Sequence, residues 1–328
     1  MRILITGTAG FIGMHLAERL LLAGHDVVGL DAITPYYDPA LKLARLKRLE
    51  RFHTFINHRA SLEDRAALDR LMRDFKPEIV AHLAAQPGVR YSIDQPAGYV
   101  SSNIVGTFNL LEAVRANPVR HLMMASTSSV YGAGVAPFRE TQRTDYPLSF
   151  YAATKKACED IAHSYAHLYG APTTMMRFFT VYGPWSRPDM AMFKFARAIY
   201  AGEPIDVYNS TGARRDFTYV SDVIEAITLL MEKIPSPGGD LGSSPQAPYR
   251  VINIAGGAPI RLSAYIAALE AAIGIPARRN EMPAQPGEMT ETAADVTLLR
   301  QLTGLIPSTP METGVRAFVD WYKDYHDA

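Results

Sequence analysis

Gly7-Thr8-Ala9-Gly10-Phe11-Ile12-Gly13 is the stretch from which the rest of the chain is read. A short apolar run, residues 2–6, leads into it, and residues 11–23 leave it with apolar side chains at helical spacing. The glycines therefore stand at a strand-to-helix turn. Glycine is needed there because the chain turns sharply, its backbone must approach a pyrophosphate, and the helix packs closely on the strand. The helix start then offers unpaired amides and a positive dipole end to phosphates. Gly7, Gly10, Phe11, Ile12 and Gly13 are accordingly candidate cofactor contacts. Asp31 closes the next apolar stretch, residues 26–30. A carboxylate at that place accepts hydrogen bonds from an adenosine ribose and repels a 2′-phosphate, which favours NAD over NADP.

Outward from the motif, strand and helix patterns alternate. Strands are expected over residues 53–60, 78–83, 121–125 and 173–177, and helices over 63–75, 97–116 and 151–169. Strands separated by helices of such length imply a parallel, doubly wound sheet, an α/β fold of the Rossmann type. After Thr180 proline and glycine become frequent and the expected elements shorten: helices over 190–201, 221–232, 262–273 and 311–325, strands over 205–207 and 250–254, and a Pro/Gly/Ser-rich surface loop over 235–248. Residues 1–180 are expected to form the NAD-binding part with the catalytic residues. Residues 181–328 are expected to form mainly a smaller substrate-binding α/β region.

Composition narrows the function classes. Of 328 residues 48% are apolar and 20% charged, as in a globular protein. Lys plus Arg and Asp plus Glu both number 33, so nothing in the net charge marks a nucleic-acid or anionic membrane partner. The apolar start of the chain is broken by glycines, His15, Glu18 and Arg19, unlike a secretory signal, and no apolar run reaches about eighteen residues. The single cysteine, Cys158, excludes a disulfide framework and favours a reducing compartment, so a cytoplasmic location is expected. Cys158 reads as a small apolar helix residue. No metal is expected.

Tyr151-Ala152-Ala153-Thr154-Lys155 places a phenol and an ammonium one helical turn apart on one face. A phenol titrates near pH 10 in isolation, too high for a base at neutral pH, and a neighbouring cation lowers that value. Tyr151 is thus a candidate base for a hydroxyl that loses hydride from the same carbon. Ser126-Thr127-Ser128-Ser129 follows a strand at the carboxyl end, where α/β sheets place ligands. Its hydroxyls are candidate partners of the reacting oxygen, or else a polar turn with a helix cap.

The spacing GxxGxxG with YxxxK resembles the extended short-chain dehydrogenase/reductases, the NAD-dependent epimerase/dehydratase family. Further stretches look like the UDP-glucuronate 4-epimerases within it: Leu83-Ala84-Ala85-Gln86-Pro87-Gly88-Val89-Arg90-Tyr91-Ser92, Arg177-Phe178-Phe179-Thr180-Val181-Tyr182-Gly183-Pro184-Trp185 with Arg187-Pro188-Asp189-Met190, Arg215-Asp216-Phe217-Thr218-Tyr219-Val220, and Gln285-Pro286-Gly287-Glu288. The sequence departs from the family's usual residues at Ala32, Ser61, Ser186 and Glu288. The resemblance implies Thr127, Tyr151 and Lys155 as the catalytic set. It adds Leu83, Ala84, Ala85 and Phe178 to the NAD contacts. It makes Arg90 a candidate substrate contact and assigns Arg215 to the UDP phosphates. The related 4,6-dehydratases carry Asp-Glu directly after the catalytic threonine; here Ser128 and Ser129 stand there and cannot serve as that acid–base pair.

Oxidation at C4 of a hexuronic acid creates a ketone β to the carboxylate, a species that loses CO₂ when the breaking bond aligns with the carbonyl π system. Arg187 offers a bidentate cation, and Thr180, Ser128 and Ser129 neutral donors, to hold the carboxylate out of that alignment. The expected function is therefore C4 epimerisation of UDP-glucuronate to UDP-galacturonate. A UDP-glucuronate decarboxylase, a UDP-hexose 4-epimerase and a non-catalytic dinucleotide sensor stay open as alternatives. Asn103 reads either as a ligand contact or as a buried polar residue. Relatives use the helices over 97–116 and 151–169 for a four-helix interface, so a homodimer is expected.

Overall fold

In β1 (Arg2–Thr6) the side chains of Ile3 and Ile5 enter one apolar core and that of Leu4 another. A strand apolar on both faces needs helices on both sides. The computed structural model describes residues 1–208, 214–238, 241–283 and 291–327, so the expected family segment 285–288 lies outside the described residues.

From the glycine turn the chain enters α1 (Phe11–Leu22), then β2 (Asp26–Leu30), α2 (Pro39–Leu49), β3 (Ile56–His58), α3 (Arg65–Phe75) and β4 (Ile79–His82). Two short turns, α4 (Tyr91–Asp94) and α5 (Pro96–Tyr99), precede α6 (Gly106–Ala116), β5 (His121–Thr127), α7 (Phe150–Tyr169), β6 (Thr173–Phe178) and β7 (Thr180–Tyr182). The later part contains α8 (Ala191–Tyr200), β8 (Ile205–Tyr208), β9 (Arg214–Arg215), β10 (Phe217–Tyr219), α9 (Val220–Leu230), β11 (Tyr249–Ile254), β12 (Ile260–Arg261), α10 (Leu262–Ile273), β13 (Arg279–Met282), α11 (Thr297–Thr303) and α12 (Met311–His326).

The main sheet has seven strands in the order β11-β6-β5-β4-β1-β2-β3, all parallel. Helices α1, α2, α9 and α11 cover one face through residues such as Leu16, Leu20, Leu49, Ile227 and Leu299. Helices α3, α6 and α7 cover the other through Leu68, Met72, Leu110, Val114 and Ala162. Strand order reverses between β1 and β4, which opens a crevice at the carboxyl ends of the strands. The seventh strand, β11, and the helix α9 come from beyond residue 180, so the chain returns to the sheet after leaving it. A smaller core of Phe193, Phe195, Tyr265, Leu269, Phe318 and Val319 joins α8, α10 and α12 beside the paired β8 and β13.

Several local outcomes differ from the sequence expectation, including the short strands β7, β9, β10, β12 and β13 and the helix α11. Helix α2 was not foreseen, although Asp38 caps it by accepting from Ala40 N–H at 2.9 Å and Pro39 occupies its first turn. The helix expected over 97–116 is interrupted by a π-helical turn at Val100–Val105. That turn aims the buried Asn103 at the loop after β4, and Gly106 beyond it lies so close to Leu62 that a Cβ would stand 2.7 Å away. The third strand shrinks to Ile56–His58 at the sheet edge.

Candidate active site

Helix α1 begins at Gly10, which has no side chain to cap the first turn. Its unpaired amides need another partner. Phe11, Ile12 and Gly13 face a cavity of about 560 Å³ at the carboxyl ends of the central strands. Gly7, at φ +81°, lies so near the next strand's exit that a Cβ would stand 2.8 Å from Ala84 N. A Cβ on Gly13 would fall 2.0 Å from the Gly7 carbonyl oxygen. Only bare backbone allows this packing, and it leaves a groove whose wall is main chain. Asp31 also lines the cavity. Its carboxylate accepts from Ala9 N–H at 3.0 Å and Ile33 N–H at 2.8 Å, one on each oxygen. Each oxygen keeps a further lone pair for a ribose hydroxyl. Leu83, Ala84, Ala85 and Phe178 complete this side.

The opposite wall carries side chains with chemistry. Ser149 caps α7 by accepting from Ala152 N–H at 3.1 Å, so Tyr151 falls in the first turn and Lys155 one turn later. Both line the cavity with Thr127, Ser128, Ser129, Thr180 and Arg187. Thr127 Oγ1 accepts from Ser129 N–H at 3.1 Å and so also caps the short turn Ser128–Tyr131. Lys155 is 2% exposed, and among the described residues no protein group hydrogen-bonds its ammonium. A buried cation without a protein acceptor, facing a cavity beside an uncapped helix start, suits a polar ligand such as a dinucleotide. The residues present thus fit NAD.

Below this wall the ends of β5, β6 and α7 are tied together. Glu159, one turn beyond Lys155, accepts from Ser126 Oγ at 2.6 Å and from Arg177 at 2.8 and 2.7 Å, with both ionic partners buried. Burial opposes the Arg177 charge, but the Glu159 carboxylate raises its pKa above the ordinary value. Removing either partner would strand a buried charge, so this pair fixes Thr127 and Lys155 relative to each other.

Burial lifts the Tyr151 phenol above its ordinary value, while the Arg187 charge and a hydrogen bond with Thr127 pull it down. Burial lowers the Lys155 ammonium, opposed by Cys158 and Glu159. Arg187 is thus one cation that favours the phenolate, and burial outweighs it. Arg187 forms a bidentate pair with Asp189 at 2.9 and 3.0 Å, and Tyr36 donates to the same carboxylate at 3.2 Å. Burial disfavours its charge, yet Asp189 keeps the guanidinium above its usual value.

Of the residues considered from sequence, Arg90, Arg215 and Asn103 do not line the cavity. Arg90 lies over the Tyr208 ring at 4.7 Å, and Arg215, on β9, donates to the Arg214 carbonyl at 3.1 Å. Asn103 is a buried polar residue: its amide accepts from Gln86 N–H at 2.8 Å and donates to Gln86 O at 3.2 Å and Thr154 Oγ1 at 3.0 Å. It holds the cavity-lining loop after β4 in place. Cys158 is buried and donates to the Asn103 carbonyl at 3.1 Å. Tyr36, Lys42 and Gln86 line the cavity without having been singled out from sequence. The Asp38-Pro39 helix start was the available signal for the first two.

Residues 3–254 match the model of the NAD-dependent epimerase/dehydratase family. The chain belongs to this family. It is 52% identical over 98% of its length to a probable UDP-glucuronate 4-epimerase of Rhizobium meliloti, of which 97% is covered. It is 43% identical over 99% of its length to UDP-glucuronate 4-epimerase 1 of Arabidopsis thaliana, of which 77% is covered. Among solved structures, the UDP-glucuronic acid 4-epimerase of Bacillus cereus in complex with UDP-glucuronic acid and NAD is similar at a TM-score of 0.90 and 33% identity, covering 99% of this chain and 100% of that one. Members of the family are NAD-dependent, in agreement with the fit of the cavity. Among the described residues no helix is long and apolar enough to cross a membrane.

Proposed function

We propose that this enzyme inverts C4 of a UDP-hexuronic acid, interconverting UDP-glucuronate and UDP-galacturonate. The observation that carries the reading is the Arg187 guanidinium in the same cavity as Tyr151 and Thr127, a cation where the acid group of the sugar would lie next to the base for its neighbouring hydroxyl. Gly7, Gly10, Phe11, Ile12, Gly13, Asp31, Leu83, Ala84, Ala85, Lys155 and Phe178 would hold NAD. When bound, NAD supplies reversible hydride acceptance at the sugar carbon.

The protein's own part is acid–base and positional. Tyr151 takes the C4 hydroxyl proton and returns it after the sugar has presented its other face. Thr127 holds that oxygen by its hydroxyl. Lys155 supports the deprotonated phenol and the cofactor's ribose. Arg187, with Thr180, Ser128 and Ser129, pins the carboxylate so that the bond to CO₂ stays out of line with the C4 carbonyl. Ser128 and Ser129 offer no carboxylate for dehydration. Residues 181–328 contribute mainly to the UDP part of the substrate, with Arg215 assigned to the phosphates and Arg90 to a further substrate contact.

We further propose a homodimer. The support is that Ile93, Val100, Val105 and Phe108 leave apolar side chains 62%, 44%, 42% and 46% exposed along the stretch around α4 to α6. Light scattering at micromolar concentration should give twice the chain mass. The single buried cysteine supports a cytoplasmic setting.

Substrate choice is tested by comparing kcat/KM for UDP-glucuronate and UDP-glucose in the wild type and in Arg187→Ala. A strong wild-type preference for the acid, lost in the variant, is expected. Equal use of both sugars by the wild type would reject the uronate assignment.

A further inference from the structure

Arg45, on α2, is fully buried, yet none of the ion pairs among the described residues includes it. Its guanidinium instead grips backbone. It donates to the Trp185 carbonyl at 2.6 and 3.2 Å, to the Ser186 carbonyl at 3.3 Å, and to the Ala9 carbonyl, inside the glycine turn, at 3.0 Å. Tyr37 Oη lies 2.6 Å from its Nη1. One residue earlier, the Pro184 carbonyl accepts from His15 Nε2 at 3.0 Å, so three consecutive carbonyls are held by side chains of α1 and α2.

The held segment is strained. Trp185 has φ +63°, the left-handed region that a bulky side chain rarely adopts. Such a conformation persists only when its surroundings over-determine it. The strained peptide lies two residues before Arg187, so its conformation sets where Arg187 emerges. A buried charge spent on neutral carbonyls is expensive as a mere packing device. It is understandable if it holds one loop in one place relative to the cofactor turn.

We infer that Arg45 is a positioning residue for substrate recognition: it clamps the 184–186 segment to the glycine turn and thereby aims Arg187 into the cavity. The inference rests on the reading of Arg187 as the uronate clamp. The planar fork of arginine reaches carbonyls on two loops at once; a lysine keeps the charge but donates from a single point.

The test uses NAD-loaded protein and calorimetric binding of two ligands, UDP-glucuronate and UDP, the second lacking the acid. In Arg45→Lys the Kd of UDP-glucuronate should rise about tenfold, because a small misplacement of one clamp costs that much or more, while the Kd of UDP stays within about twofold. A merely structural role would weaken both ligands alike, and that result, or no change in either, overturns the inference. Should Arg45→Lys fail to fold, Tyr37→Phe removes one guanidinium partner and keeps the ring; about a threefold rise for UDP-glucuronate alone is expected, and unchanged binding overturns the inference. Arg187→Ala separates the two levels. If it loses the acid preference while Arg45→Lys and Tyr37→Phe keep it, only the positioning role falls. If Arg187→Ala keeps the preference, the uronate clamp itself falls and the inference with it.

Discussion

The two walls of the cavity are made from different material. The wall proposed to face the cofactor is backbone: the turn from Gly7 to Gly13, the exits of β2 and β4, and amides at an uncapped helix start. The wall proposed to face the substrate is side chain: Tyr151 and Lys155 on α7, Thr127 at the end of β5, and Arg187 on a loop. The first wall follows from the sheet and needs little help. The second depends on partners elsewhere in the chain, among them Asp189, Tyr36, Glu159 and Arg177. Main chain placed by a parallel sheet suits a cofactor common to many reactions, whereas side chains on loops suit the choice of substrate.

If that contrast is right, a side chain added to the first wall should be worse than one removed from the second. Gly13→Val drives atoms into the Gly7 carbonyl, which a Cβ alone would already approach to 2.0 Å. The purified variant should carry no NAD and show turnover lowered by more than about a hundredfold; retention of cofactor would break the contrast. Tyr151→Phe should lower kcat by about two orders of magnitude while cofactor content stays that of the wild type, since only the base is lost. Near-normal turnover would remove Tyr151 from the chemistry. Arg187→Ala should raise KM for UDP-glucuronate by about tenfold or more, with some UDP-pentose formed as the carboxylate swings free. Unchanged kinetics on the acid would show the loop to be passive.

A smaller effect concerns pH. Burial raises the Tyr151 pKa and Arg187 lowers it. The limb of kcat/KM that rises with pH as the phenol loses its proton should therefore move to higher pH in Arg187→Ala. A limb that stays put would mean that Arg187 does not act on the phenol. The least effect on catalysis, and one on stability, comes from buried histidines of α1, β4 and β5. Burial lowers His15 and His121 to about 4 and His82 to about 3. Above pH 6.5 each is neutral whether the chain is folded or not. As pH falls from 6.5 toward 4 the unfolded chain takes up protons that the folded one refuses, so stability is lost across that window, at up to about 1.4 kcal/mol per pH unit for each histidine. Melting temperatures between pH 7.5 and 4.5 should fall steadily below 6.5; a flat profile would contradict the burial of these rings.

The same contrast governs what the sequence reveals. The glycine turn, Asp31 and the Tyr151–Lys155 pair were legible because each is a local pattern with one geometric meaning. Strands such as Arg2–Thr6 and helices such as Leu262–Ile273 appeared with the expected bounds, since their apolar periodicity is local too. The placement of Tyr249–Ile254 in the first sheet is a pairing across more than seventy residues and leaves no local trace. Arg45 was not singled out from sequence, because only the folded chain brings Ala9 and Trp185 to it. The π-helical turn at Val100–Val105 was hidden because its residues suit an α-helix equally well.

One measurement bears on the epimerase reading most directly: incubating the purified, NAD-loaded protein with UDP-glucuronate and resolving the products by NMR and mass spectrometry. The expected product has the mass of the substrate and an inverted C4, with the two UDP-hexuronates approaching equilibrium from either side. Loss of CO₂ to give a UDP-pentose as the main product, or no conversion of the acid at all, would contradict it.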